Sequence, residues 1–127
     1  SYREFANDNI IIVAMIESPA GVEIVDQVAA LEHVDVVFVA SSDLGSFTGR
    51  RQGDPQYEAL VTRIKDATQA AGKIVAGPSA WKDTREGYRF FQGPSDAALI
   101  RSGARLSLEG SAETGQPRGV APIEGQE

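Results

Sequence analysis

The feature that most limits the folds open to this sequence is a fourfold alternation. Short apolar runs, rich in branched or aromatic residues, take turns with stretches patterned for helices. The runs are Ile10–Ile16 (IIIVAMI), Asp35–Ala40 (DVVFVA), Lys73–Ala76 (KIVA) and Tyr88–Gln92 (YRFFQ). The first two are apolar at nearly every position rather than every second one, which suits strands covered on both faces, as in a parallel sheet. After the first run, Ser18 and Pro19 open a helix whose Val22, Val25, Val28, Ala29 and Leu31 share a face. After the second, Pro55–Ala71 carries Tyr57, Leu60, Val61, Ile64 and Ala67 or Thr68 at helical spacing, and Gly72 stops it. A short helix is expected over Trp81–Glu86, and a last one from Ser95-Asp96 through Ala97 to about Leu108. Strand and helix alternating in this way predict an α/β fold with parallel strands and right-handed crossovers. Ser41–Asp54, rich in Ser, Gly and Arg, reads as a long loop.

Composition narrows the function classes. The 127 residues are enough for one domain with a real core. A net charge of −6 argues against a phosphate-backbone partner, so no nucleic acid is expected. With no cysteine there is no disulfide, thiolate metal site or cysteine nucleophile. No apolar run has the length of a membrane span and no signal peptide is visible, so a cytoplasmic protein without a membrane partner is expected. The chain starts at Ser1 and enters a strand almost at once, consistent with a processed chain or a fragment. From Glu109 onward the sequence is rich in Gly, Pro and Glu. The expected organisation is a folded part over residues 1–108 and a flexible tail over 109–127.

Two acids stand just past the first two strands, Glu17 and Asp43, about one βα unit apart. In parallel βα folds, sites gather at the carboxyl ends of strands. Neighbouring strands lie about 4.8 Å apart, so carboxylates at adjacent strand ends can meet at one point. Two bare anions there repel unless a cation or a shared proton relieves them. Hard oxygen donors without soft ligands suit Mg²⁺ or Mn²⁺. The spacing alone also allows the plainer reading, Glu17 capping a helix and Asp43 serving a turn.

The segment AMIESPAGVEIVDQVAALEHVDVVFVASSDLGSFTG resembles the HpcH/HpaI aldolase/citrate lyase family, the metal-dependent pyruvate aldolases. That pattern has a strand ending in Ile-Glu, a helix, then a strand into a Gly-Pro-x-Asp-Leu-Ser loop. The similarity continues through QAAGKIVAG and GYRFFQGPSDAALI and covers about Ala6 to Leu108. The resemblance implies a (β/α)₈ barrel, of which four strands match the C-terminal half, since a whole barrel needs about 250 residues. It also implies that Glu17 and Asp43 hold a divalent cation, Mg²⁺ or Mn²⁺, and that backbone amides of Ser42 and Asp43 bind the carboxylate of a 2-oxo acid such as pyruvate. The implied activity is carbon–carbon bond cleavage or formation on 4-hydroxy-2-oxo acids through a pyruvate enolate. The alternatives are a citrate-lyase or malyl-CoA-type lyase, and a non-catalytic truncated barrel acting as an interaction subunit.

The sequence departs from the family pattern at Ala40 and Ser41, which stand for Gly-Pro, at Gly45, which stands for the usual serine, and at Met15, where one branch has glutamine. The family's catalytic arginine and its acid/base histidine belong to the N-terminal half and are absent from this chain. A half barrel leaves two open edges and an uncovered face. A complementary N-terminal half-barrel or a homo-oligomer is therefore the expected partner. His33, the single histidine, precedes a strand and so belongs to the end opposite the site. Arg89 begins a strand, which points to structure. Arg50 and Arg51 either reach a substrate's distal carboxylate or lie in a solvated loop. Trp81 is read as packing more than pocket lining, Asp96 as a helix cap, and Ser79 as outside the site.

Overall fold

All four apolar runs become strands, and all pair in parallel. A computed structural model of the protein describes residues 1–113, with side chains through residue 110. The strands are β1 (Val13–Ile16), β2 (Val36–Val39), β3 (Ile74–Pro78) and β4 (Tyr88–Gln92), lying side by side in chain order. The register pairs Val13 with Val36 and Ile16 with Val39, then Val36 with Ile74 and Phe38 with Ala76. A register shift between β3 and β4 leaves Tyr88 opposite Val75 and Phe90 opposite Ala76.

The helices in residues 1–93 are α1 (Tyr2–Asp8), α2 (Pro19–Glu23), α3 (Val25–Ala29), α4 (Ser41–Thr48) and α5 (Pro55–Ala70). One face of the sheet packs on helices. Ile16, Val37, Val39, Val75 and Tyr88 meet Val22, Val25 and Ala29 of α2–α3, and Tyr57, Val61, Ile64 and Ala67 of α5. The opposite face holds Val36, Phe38, Ala40 and Ala76, with Val13 and Ile74 partly buried beside them. On that face Met15 and Phe90 stay 52% and 39% exposed. Central strand β2 is buried at every position, so its uninterrupted apolar run is explained.

Several elements differ from the sequence expectation. The first strand starts at Val13, not Ile10. β2 begins only at Val36, so Ile10 and Ile11 have no neighbour to pair with and stay exposed. Ahead of it, residues expected to lead straight into a strand form α1, closed by a Ser1–Glu4 capping box. The expected helix after Ser18 is two short ones that break at Ile24. Val22, Ile24 and Val25 crowd branched side chains into one turn, which weakens a continuous helix. β3 spans Ile74–Pro78 rather than stopping at Ala76, and the short helix expected over Trp81–Glu86 is a 3₁₀ turn at Ser79–Trp81 followed by turns. The loop expected over Ser41–Asp54 contains α4.

A second unit starts at Pro94 and holds α6 (Asp96–Glu113). Ser95 Oγ accepts the Ala98 amide at 3.3 Å, whereas Asp96 Oδ1 accepts only the neighbouring Ala97 amide at 2.7 Å. Ser95 is therefore the residue that caps this helix. α6 carries on through 109–113, where a tail is expected, and 114–127 lie outside the described residues. Among the described residues no helix is long and apolar enough to cross a membrane.

Candidate active site

Glu17 follows directly on Ile16, the last paired residue of β1, and is exposed. On the neighbouring strand the Ala40 amide donates to the Ile16 carbonyl at 3.1 Å. α4 begins at the next residue and carries Asp43 in its first turn, also exposed. Both carboxylates thus stand at the carboxyl ends of paired, parallel strands, as the sequence predicts. Among the described residues, no three or more His, Cys, Asp or Glu side chains group into a metal cage. A pair of carboxylates nevertheless fits Mg²⁺ or Mn²⁺, which take few protein ligands and fill the remaining positions with water and substrate oxygen.

The loop that the sequence suggests for the acid's carboxylate is the first turn of α4. Leu44 is fully buried and anchors the helix, and the Tyr57 hydroxyl donates to the Ser41 carbonyl at 3.1 Å. Thr48 Oγ1 donates to the Leu44 carbonyl at 2.6 Å, and Gly49, in the left-handed region at φ 64°, ends the helix. At the other end the capping residue is Ala40, which has no side-chain acceptor to offer. The first helical bond runs from the Leu44 amide to the Ala40 carbonyl, at 2.9 Å. The amides of Ser41, Ser42 and Asp43 are left as uncapped donors at the positive end of the helix dipole. An acceptor-poor cap over three free amides is suited to a bound anion.

Beside α4 lies a cavity of about 520 Å³, lined among others by Ser41, Ser42, Gly45, Arg50, Arg51 and Gln52. The arginines sit on a loop held at several points. The Arg50 amide donates to the Gly45 carbonyl at 3.2 Å, the Asp54 amide to the Arg51 carbonyl at 2.9 Å, and the Gly53 amide to Glu58 Oε1 at 2.8 Å. Asp54 in turn caps α5 through the Gln56 amide at 3.0 Å. A methyl group on Gly45 would stand 3.1 Å from the Arg50 carbonyl oxygen. Glycine at position 45 therefore lets this loop close onto α4.

Glu58 is gripped in turn by Arg85, Nη1 to Oε2 at 2.6 Å and Nη2 to Oε1 at 2.9 Å. These bonds hold its carboxyl below the usual range. The Arg85 guanidinium lies 4.1 Å over the Trp81 ring, and Trp81 meets Tyr88 edge-on at 5.3 Å. Trp81 is buried and packs, as expected, rather than lining a pocket mouth. The Tyr88 hydroxyl is buried without a partner, and burial pushes it up to about 12. This chain from β4 to the arginine loop joins residues far apart in sequence. Only the helical stripe containing Tyr57 hints at it.

His33 is exposed just ahead of β2, at the opposite end of the sheet from Glu17, and Arg89 is exposed at the start of β4. Ser79 is exposed and opens the 3₁₀ turn. None of the three joins the two carboxylates.

The sequence profile of the HpcH/HpaI aldolase/citrate lyase family matches residues 2–90. The chain belongs to that family. The hydroxypyruvate/pyruvate aldolase of Chromohalobacter salexigens is 32% identical over 111 residues, which cover 81% of this chain and 43% of that protein. The 5-keto-4-deoxy-D-glucarate aldolase of Escherichia fergusonii is 36% identical over 109 residues, 79% of this chain and 42% of that protein. A family protein of known structure from Burkholderia cenocepacia superposes with a TM-score of 0.73 at 28% identity, covering 87% of this chain and 46% of that one. The four parallel βα units are thus those of a TIM-barrel family, and the chain spans less than half the length of these relatives. Its similarity is to lyases of the aldolase type.

Proposed function

We propose that this chain supplies the cation-holding and carboxylate-holding part of a Mg²⁺- or Mn²⁺-dependent carbon–carbon lyase. The reaction is cleavage or formation of 4-hydroxy-2-oxo acids through the enolate of pyruvate. The observation that carries this reading is that Glu17 and Asp43 follow the carboxyl ends of neighbouring parallel strands, beside the uncapped amides of α4. Glu17 and Asp43 offer oxygen ligands. The Ser42 and Asp43 amides hold the carboxylate of the 2-oxo acid, which fixes its keto group toward the two acids. A divalent cation bound there supplies Lewis-acid stabilisation of charge building on the keto oxygen. The aldolase names of the relatives favour this reading over a citrate-lyase or malyl-CoA-type lyase.

Proton transfer needs a further group, and His33, the single histidine, lies at the far end of the sheet from the two acids. We assign that group and an oxyanion-stabilising arginine to a complementary N-terminal half-barrel. The exposed Met15 and Phe90 on the face away from the helices support such a partner, since closure of a barrel would cover them. The test is exchange of the pyruvate methyl protons in D₂O, followed by proton NMR with Mn²⁺ or Mg²⁺ and with a chelator, for the chain alone and with the complementary half added. Metal-dependent exchange that Glu17→Ala or Asp43→Ala abolishes supports the reading. Absence of exchange under every condition favours a non-catalytic interaction subunit.

A further inference from the structure

We propose that the cavity beside α4 is an oxyanion subsite that reads the far end of the substrate, a second carboxylate or a phosphate. The choice of molecule rests on the aldolase reading, while the subsite itself rests on geometry. At about 100° per residue, Ser41, Ser42 and Gly45 share one face of α4, and this face, with Gly49 at the end of the helix, is a wall of the cavity. Asp43 stands on the next face round. An acid anchored on the first-turn amides therefore has its first carboxylate at one end of the cavity, and the rest of the molecule can run along it.

The lining described around the cavity contains hydroxyl, amide and guanidinium groups and no carboxylate. Each guanidinium brings five N–H donors and no acceptor, in a fork that matches carboxylate and phosphate oxygens. Arg50 reaches its one carboxylate neighbour, Asp54, only at 3.9 Å, which leaves most of its donors uncommitted. The guanidinium of Arg51 forms no hydrogen bond or ion pair among the described residues. The loop carrying both is fixed from α4, from Asp54 and from Glu58, so little ordering remains for a ligand to impose. Gly45 belongs to the same device. It replaces the family's usual serine, and its missing side chain is what lets Arg50 approach the helix. Gly45, a departure from the family pattern, and the arginine pair thus act together to set which end group is accepted.

The test is a titration of the full chain, ¹⁵N-labelled and kept in chelator, with succinate, inorganic phosphate and neutral succinamide. Amide and arginine Nε–H shifts are followed by NMR. Saturable shifts confined to Ser41–Gly45 and Arg50–Gln52 are expected with an anion and not with succinamide. Arg50→Gln and Arg51→Gln should each weaken the anion about fivefold, an effect the size of a partly exposed charged hydrogen bond. Tighter binding of succinate assigns the subsite to a carboxylate, and tighter binding of phosphate to a phosphate. Shifts that are absent, scattered over the surface, or unchanged in both glutamine variants overturn the proposal. The titration uses no cation, whereas methyl exchange of pyruvate requires one. Binding without exchange keeps the subsite and removes the aldolase reading, and exchange without binding does the reverse.

Discussion

Gly77→Ala puts the packing behind the arginine loop under direct strain. An alanine Cβ there would stand 2.7 Å from Trp81 Cε3, 3.1 Å from Cζ3 and 3.3 Å from Tyr88 Cδ1. Carbon atoms rest at about 3.5–4.0 Å, so the indole must retreat by roughly 1 Å. It has nowhere to go. Trp81 is 1% exposed, with Tyr88 against its edge and the Arg85 guanidinium over its face. Overpacking of this kind costs about 2–3 kcal/mol. The stiffer unfolded chain of alanine offsets about 0.4–1 kcal/mol of that. A net loss of about 2 kcal/mol lowers the melting temperature of a domain this size by about 6–10 °C. The assay is thermal unfolding followed by far-UV circular dichroism and by fluorescence, which reports on this site alone because Trp81 is the only tryptophan. Displacement of the ring also loosens Arg85, and with it the Glu58–Gly53 tie, so the Gly53 amide should exchange faster with solvent. A melting temperature within about a degree of wild type, with an unchanged emission maximum, would refute the packing argument.

The remaining predictions concern the groups around that cluster. Glu58→Gln should cost about 1 kcal/mol at neutral pH, measured by urea unfolding. Arg85 lowers the folded pKa of Glu58, so the stabilisation is present above the unfolded value, about 4.3, and fades as pH falls through the folded one. Wild type and variant should converge in acid. Tyr57→Phe removes the bond to the Ser41 carbonyl and should cost about 1 kcal/mol, with faster amide exchange in α4. Burial raises the Tyr88 phenol to about 12, so the folded state holds that proton more tightly than the unfolded chain, whose value is about 10. Stability should therefore decline as pH rises from the unfolded value through the folded one, and ultraviolet titration of the three tyrosines should show one ionising last.

The sequence reveals the sheet because its first two strands lie in nearly unbroken apolar runs, and a central strand buried at every position leaves no other pattern. It reveals the placement of Glu17 and Asp43 for the same reason, since each follows the end of a run that is plain to see. α4 is hidden. Its residues SSDLGSFT are mostly poor helix formers, and composition alone favours a loop. The helix exists because Leu44 is driven into the core and Tyr57, sixteen residues on, grips the Ser41 carbonyl. Both are tertiary effects. α1 carries a legible signal, the Ser1–Glu4 capping box, that is easily passed over next to the Ile10–Ile12 run. The contact between Gly45 and Arg50 cannot be read from the chain, because it depends on how closely a turn folds back on the preceding helix.

The central claim is that Glu17 and Asp43 form one cation site. The direct measurement is paramagnetic broadening by substoichiometric Mn²⁺ in the amide spectrum of the labelled chain, with pyruvate present. The account predicts signal loss confined to the ends of β1 and β2, around Glu17 and Ser42–Leu44, and its disappearance in Glu17→Ala and in Asp43→Ala alike. Broadening centred elsewhere, or broadening that survives removal of either acid, would contradict it.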